Sequence, residues 1–145
     1  MNIVYFDTGL LVKLYCAEID SSRANEIVRQ FTPPYPITSW HEIEIMNAMR
    51  LKAFGKELTT KELGDSLANL QSDIVSGVFV RPRYDTDLVF RMAEELSGKF
   101  AASIGCRTLD VMHVAVAAAI GAKDFVTFDI RQAKLAKKAG LNVFP

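Results

Sequence analysis

Short apolar runs alternate with longer amphipathic segments along the whole chain. Residues 3–6 (Ile-Val-Tyr-Phe) and 125–128 (Phe-Val-Thr-Phe) are β-branched or aromatic, which predicts two buried strands. Each run ends on an acid, Asp7 in the first case and Asp129 in the second. Ligands collect at the carboxyl ends of the strands in parallel sheets. Both acids are therefore expected at one functional edge if the two strands are neighbours.

The segments between these strands have the periodicity of helices. Helix starts are predicted near residues 8, 21, 39, 60, 85, 108 and 130, and further short strands at 37–38, 78–80 and 142–144. Two capping boxes are expected, Ser39 with Glu42 and Thr59 with Glu62. The helix from residue 84 to about 102 is expected to bury the following stripe: Leu88, Met92, Leu96 and Phe100.

This alternation of strands and helices predicts an α/β protein. We expect a three-layer α/β/α sandwich with a mostly parallel central sheet. At 145 residues, half of them apolar, the chain is long enough for one sizeable core, so residues 1–145 are predicted to form a single domain.

Composition limits the classes of function. The 17 basic and 17 acidic side chains cancel, so any nucleic-acid contact must use a local patch. Cys16 and Cys106 lack the spacing of a zinc site or a disulfide framework, which predicts reduced thiols in a cytoplasmic protein. There is neither a basic leader nor an apolar run of about twenty residues, so we expect no export and no membrane span.

Two more acids lie at informative positions on predicted helices. Asp110 falls in a first helical turn, where the helix dipole favours an acid, so it is open to a purely structural interpretation. Glu42 and Glu44 both head candidate stripes of one helix, and periodicity alone does not choose between them. Because the predicted capping box uses Glu42, Glu44 is the better functional candidate. Asp7 and Asp129 can likewise be helix caps, a role compatible with ligand binding.

Four acids from separate elements at one edge would repel one another unless a cation compensates. Oxygen ligands without a His or Cys cluster select a hard divalent ion such as Mg²⁺ or Mn²⁺. The residues therefore predict a metal site at this edge.

The order and spacing of these motifs resemble PIN-domain proteins, and most closely the short VapC-type toxins of prokaryotic toxin–antitoxin pairs. The resemblance spans essentially all 145 residues and rests on four pieces: Tyr5-Phe6-Asp7-Thr8 with Leu11-Val12-Lys13-Leu14; Thr38-Ser39 leading to Glu44 with Asn47-Ala48; Asp110 with Val111, His113 and Ala115; and Phe125-Val126-Thr127-Phe128-Asp129 with Arg131-Gln132 and Leu135-Ala136.

The resemblance implies a metal-dependent endoribonuclease in which Asp7, Glu44, Asp110 and Asp129 bind one or two Mg²⁺ or Mn²⁺ ions. It also implies an RNA substrate, a VapB-type antitoxin as partner, and a homodimer. The chain departs from many relatives at Gly9, where a hydroxyl residue would add a donor near the metal.

Further residues are assigned supporting roles around the four acids. Thr8, Thr127 and His113 are expected beside the ligands, although a histidine on an apolar helix is more often a packed core residue. His41, in a first helical turn, is expected in solvent. Arg107, Arg131 and Lys134 are candidates for contacts to the RNA backbone, against the simpler interpretation of a solvated face.

Other classes of protein fit the pattern less well. A phosphatase of the haloacid dehalogenase type needs a second acid two residues after the first, where this chain has Gly9. A receiver domain needs a paired early acid and a late lysine, and the spacing fits poorly. A PIN nuclease without an antitoxin and an inactive PIN-fold binding module both remain open.

Overall fold

The computed structural model describes residues 2–145 of the chain. In chain order the elements are β1 (Val4–Phe6), α1 (Thr8–Tyr15), α2 (Ser21–Val28), β2 (Tyr35–Pro36), α3 (Ser39–Phe54), α4 (Thr60–Val75), β3 (Phe79–Val80), α5 (Thr86–Leu96), a π-helical turn (Ser97–Ala101), α6 (Ala102–Ile104), α7 (Thr108–Ala119), β4 (Asp124–Val126), α8 (Ile130–Lys138) and β5 (Asn142–Phe144). Every strand pairing is parallel across the described residues, which confirms the α/β class and agrees with an α/β/α sandwich.

The chain forms two compact units. The first contains the chain up to Asp7 together with Pro82–Pro145, and the second contains Thr8–Arg81. The single-domain assignment stays a prediction.

The first unit is built on a three-stranded parallel sheet of order β1-β4-β5. Tyr5 lies opposite Phe125 in the register, and their stacked rings have centroids 5.5 Å apart. Both side chains are fully buried, as are Val114 and Leu135 from α7 and α8. Burial of these apolar surfaces fixes β1 and β4 as neighbours, which was the condition for Asp7 and Asp129 to share an edge.

The second unit is a set of helices with a two-stranded parallel sheet, β2 and β3. Its fully buried large side chains come from α1, α3, α4 and the segment after β2: Leu10, Leu11, Ile37, Ile45, Met49 and Leu70. The amides of Tyr35 and Ile37 donate to Val78 and Val80 across the pair. Because these donors flank Pro36, its missing N–H costs no hydrogen bond, and the strand covers residues 35–36 rather than the predicted 37–38.

The first predicted capping box is wrong by one residue. Thr38, not Ser39, caps α3, with its hydroxyl accepting from the His41 amide, while the His41 ring accepts from the Thr38 amide. His41 is therefore fully buried and not solvated as expected. Glu42 instead accepts two hydrogen bonds from Arg81, at 2.6 and 3.0 Å.

Two further boundaries differ from the predictions. β4 ends at Val126, two residues early, because Thr127 and Asp129 turn into α8. The long helix at residues 84–102 is interrupted by the π-helical turn, and α5 buries Val89 and Ala93 rather than the stripe that starts at Leu88. The two stripes lie one residue apart in the sequence, and packing of α5 on α7 selects the smaller side chains.

One further expectation is confirmed in the described residues. Thr59 and Glu62 form the predicted capping box. Cys16 and Cys106 are free thiols. No helix in residues 2–145 is both long enough and apolar enough to cross a membrane.

The Thr59 cap provides a test of this fold. Thr59→Ala removes the acceptor for the Glu62 amide, so we expect the free energy of unfolding to fall by about 1 kcal/mol. Thr60→Ala, one residue inside the helix, is the matched control and is expected to change it by less than about 0.5 kcal/mol. Urea denaturation measures both, and equal effects would contradict the capping role.

Candidate metal site at the carboxyl edge of the sheet

Asp7 lies where β1 ends. Its amide donates to the Val126 carbonyl at 2.9 Å, which extends the pairing of β1 with β4 by one residue. Its carboxylate Oδ2 lies 3.2 Å from the Thr127 hydroxyl. The parallel register therefore holds the Asp7 carboxyl at the carboxyl end of both strands, where a catalytic acid was predicted.

The environment of Asp7 opposes its charge. Burial raises the pKa of this carboxyl above its ordinary 3.8, and the nearby Asp110 charge raises it further. The charge of His113 and the polar side chains of Gln132 and Thr127 lower the pKa, but burial is the largest effect. A partly buried carboxyl with a raised pKa is stabilised by a cation that neutralises its charge.

Asp129 is fixed by the turn between β4 and α8. Its Oδ1 accepts from the amides of Arg131 and Gln132, at 2.8 and 3.0 Å, so Asp129 is the N-cap of α8. Its own amide donates to the Thr127 hydroxyl at 3.0 Å. Only one oxygen of Asp129 is used by the cap, and Oδ2 is directed elsewhere.

Arg107 lies between two of the acids. Its Nε is 3.2 Å from Asp110 Oδ2, and one of its terminal nitrogens is 3.9 Å from Asp129 Oδ2. The Asp110 side chain is 15% exposed, whereas that of Arg107 is 78% exposed. A guanidinium thus supplies positive charge beside these carboxylates while most of it remains in solvent.

Glu44 lies on α3, in the second unit. Its Oε2 accepts from the Thr8 hydroxyl at 2.9 Å, and Thr8 is the residue that follows Asp7 in the chain. Thr8 is buried and Glu44 is partly exposed. The predicted partnership of a threonine with one of the acids is therefore present for Glu44, and its metal ligation stays a prediction.

His113 belongs to the core of the first unit. It is 2% exposed, and its Nδ1 lies 2.7 Å from the Tyr5 hydroxyl. Its charge lowers the Asp7 pKa, so the ring also contributes to the electrostatics of the site.

Two of the three predicted RNA contacts lie on α8. Arg131 and Lys134 are exposed and are three residues apart, which places them on neighbouring positions of one helix face. The Arg131 side chain also donates to the Gly105 carbonyl at 3.4 Å.

The described residues meet the needs of a divalent cation only in part. The predicted donors are all carboxylate oxygens, which suit Mg²⁺ or Mn²⁺, and the partly buried Asp7 carboxyl would be stabilised by positive charge. No three His, Cys, Asp or Glu side chains within residues 2–145 are grouped closely enough to hold a metal ion. The donor chemistry fits the cation, whereas a gathered ligand set is not present in this arrangement.

Sequence reasoning missed the role of Gln132. The pair Asp129 and Gln132 resembles a capping box, but the Gln132 side chain does not bond the Asp129 amide. Its Oε1 instead accepts from the Thr127 hydroxyl at 2.9 Å, and its Nε2 is a buried donor without a hydrogen-bond partner in the described structure. The sequence did contain a signal for this role, because Gln132 is a polar residue at helical spacing from Leu135 and Ala136 on the buried stripe of α8.

The raised pKa of Asp7 predicts how stability depends on pH in EDTA. The folded protein holds this proton more tightly than the unfolded chain, so the wild type is penalised above the folded pKa and relieved as pH falls toward 3.8. Asp7→Asn keeps the shape and any cap but not the charge. We expect it to be more stable than the wild type at neutral pH, with a difference that shrinks in acid.

Urea denaturation over a pH series measures this difference. The exposed variant Asp87→Asn is the control and is expected to show no such trend. A difference for Asp7→Asn that is independent of pH would contradict a raised pKa of the Asp7 carboxyl.

Comparison with known proteins gives a structural match alone. No family model matches the chain, and no curated protein matches it. A chain in "Crystal Structure of FitAcB from Neisseria gonorrhoeae" superposes with a TM-score of 0.73 at 15% identity, covering 99% of this chain and 97% of that one. FitB is a PIN-domain protein. The similarity shows that the chain has a PIN-like fold.

Proposed function

We propose that the chain is a metal-dependent endoribonuclease that hydrolyses RNA phosphodiester bonds, and that it is the toxin of a VapBC-type toxin–antitoxin pair. The observation that carries the proposal is the Asp7 carboxyl, which is partly buried at the carboxyl edge of a parallel sheet, lies 3.2 Å from the Thr127 hydroxyl and has a raised pKa. A fold has little reason to keep a carboxyl there unless a cation uses it. The PIN-like fold supports the same conclusion.

The proposed ligands are Asp7, Asp110, Asp129 and Glu44, with Mg²⁺ or Mn²⁺ as the cation. When bound, such a cation activates water and stabilises the charge that develops on phosphate during hydrolysis. Threonine side chains of this chain hold the acids in position by hydrogen bonds. Thr127 bonds both Asp7 and the turn that carries Asp129, while Thr8 holds Glu44.

Substrate binding is proposed for the cationic side chains near the first-unit acids. Arg107 forms an ion pair with Asp110 but is mostly exposed, so its guanidinium is available to a phosphate that approaches this edge. Arg131 and Lys134 extend the positive surface along α8. Contacts to phosphate give affinity without reading the sequence of the RNA, so these residues position the strand rather than select it.

The proposed partners are a VapB-type antitoxin and a second copy of the chain. FitAcB is a toxin–antitoxin complex, and this supports an antitoxin in general. Several large apolar side chains of α3 are exposed and supply surface for a protein contact: Ile43, Leu51 and Phe54. We place the activity in the cytoplasm, where the two free thiols would remain reduced.

One alternative is an inactive PIN-fold binding module. The absence of a gathered three-ligand set among residues 2–145 favours it, as does the guanidinium that already neutralises Asp110. The two functions differ in one property, since a binding module retains RNA affinity without cleaving.

RNA cleavage separates these functions. We expect the purified chain to cut RNA with Mn²⁺ or Mg²⁺ and to be inactive in EDTA. Asp7→Asn and Glu44→Gln are each expected to lower the rate roughly 100-fold or more, because each removes a charged ligand of the cation that would stabilise the developing transition state. The rate is measured on a single-stranded and a structured RNA.

The exposed acids Asp87 and Glu26 provide matched controls, as Asp87→Asn and Glu26→Gln. Their rates should equal that of the wild type. Cleavage that survives both EDTA and Asp7→Asn would refute this site, and RNA binding without cleavage would establish the binding module.

The contribution of α8 is tested by salt dependence. Lys134→Gln removes one phosphate contact, so the slope of log affinity against log salt should fall by about 1. RNA binding is measured by fluorescence anisotropy in EDTA to suppress cleavage. Lys61→Gln, an exposed lysine of α4, is expected to leave the slope unchanged. Equal slopes for Lys134→Gln and the wild type would remove α8 from the RNA surface.

A further inference from the structure

Gln132 is an unusual side chain for its position. It is 0% exposed and lies on the buried stripe of α8 with Leu135 and Ala136. Its Nε2 makes no hydrogen bond in the described structure. A buried donor without an acceptor is costly, and an apolar side chain of similar shape would avoid that cost. The amide therefore needs a reason other than the stability of the fold.

The surroundings of Gln132 indicate that reason. The Thr127 hydroxyl has one proton and two acceptors within reach, Gln132 Oε1 at 2.9 Å and Asp7 Oδ2 at 3.2 Å. When the proton goes to the nearer acceptor, Asp7 loses its hydroxyl donor. The Gln132 Nε2 belongs to the same amide as the Oε1 that bonds this hydroxyl, and it has no hydrogen-bond partner in the described structure. It is thus the polar group placed to replace the hydroxyl.

The backbone of Gln132 serves a second acid. Its amide donates to Asp129 Oδ1 at 3.0 Å as part of the α8 cap. Gln132 is therefore linked to Asp7 through the Thr127 hydroxyl and to Asp129 through its own backbone amide. These two acids follow different strands.

We propose that Gln132 is a positioning residue that orients the Asp7 carboxyl for a divalent cation, accepting the Thr127 proton at Oε1 and presenting its Nε2 to Asp7. It touches neither substrate nor cation and acts through Asp7. This inference rests on the proposed function, because it assigns Asp7 to the cation.

The proposal predicts effects of opposite sign on stability and on cation affinity. Gln132→Met keeps the approximate shape of the side chain but removes both polar groups. In EDTA its thermal midpoint should equal or exceed that of the wild type, since an unpaired buried donor has been removed. Its Mn²⁺ affinity, measured by calorimetric titration, should fall about 10-fold, as is usual when a residue that supports a metal ligand is lost.

The matched control is Gln71→Met, an exposed glutamine of α4, which should leave Mn²⁺ affinity unchanged. A second pair of variants tests the proton path and does not depend on whether Gln132→Met folds. Thr127→Val removes the proton given to Gln132 and should also weaken Mn²⁺ binding, whereas Thr127→Ser keeps the hydroxyl and should restore it. The effects of Gln132→Met and Thr127→Val should not add in the double variant, because the two residues act on one carboxyl.

The possible results distinguish the positioning role of Gln132 from the proposed function. Equal Mn²⁺ affinity for the wild type and Gln132→Met, or a lowered thermal midpoint with unchanged affinity, overturns the positioning role and leaves the proposed function standing. If Gln132→Met does not fold, equal affinity for Thr127→Val and the wild type overturns it. A wild type that binds no Mn²⁺ overturns the proposed function, and this inference with it.

Discussion

The parallel pairing of β1 with β4 is the constraint on which the rest of the candidate site depends. The stacked rings of Tyr5 and Phe125 and the apolar residues around them set the register. The Asp7 amide then continues the ladder to Val126, so the Asp7 carboxyl emerges beside Thr127. A slip of one residue would reverse the faces of β1 and direct its core side chains away from the core. The same burial that stabilises the first unit thus delivers a carboxyl to its edge.

The polar groups at the carboxyl edge of the first unit lower the stability of the fold. Asp7 has a raised pKa, Arg107 is drawn toward Asp110, and Gln132 leaves a buried donor without a partner. An uncharged side chain at Asp7 and an apolar one at Gln132 would each pack at a lower cost in free energy. Polar groups that persist against their cost in stability are typical of sites that bind or react. The electrostatics of this edge would therefore suit a cation and an anionic substrate.

The sequence predicts the strands and the helix starts because these depend on local patterns. Thr59 with Glu62 is a true capping box, and Gly105 ends its helical stretch with a left-handed backbone at φ 77°. The pattern failed where two solutions compete locally and tertiary packing decides. At α3 the buried His41 forms the capping box with Thr38. Glu42 instead accepts hydrogen bonds from Arg81, a residue 39 positions away. Such a long-range pair leaves no trace in local spacing.

The same limit applies to the candidate site. Asp7 and Asp129 follow from strand ends, and Asp110 from a helix start, so their positions could be predicted. The role of Gln132 could not, because it depends on how Thr127 divides one proton between two acceptors. The contact of Arg107 with Asp110 could not be predicted either, since the sequence indicates only that an arginine precedes the helix.

The central claim is that the Asp7 edge holds a catalytic divalent cation. Anomalous X-ray diffraction from crystals soaked in Mn²⁺ tests it most directly, because the metal is located independently of activity. The account predicts an anomalous peak within bonding distance of the Asp7 carboxylate in the wild type and none there in Asp7→Asn. Mn²⁺ absent from Asp7 in wild-type crystals that are saturated with it would contradict the claim.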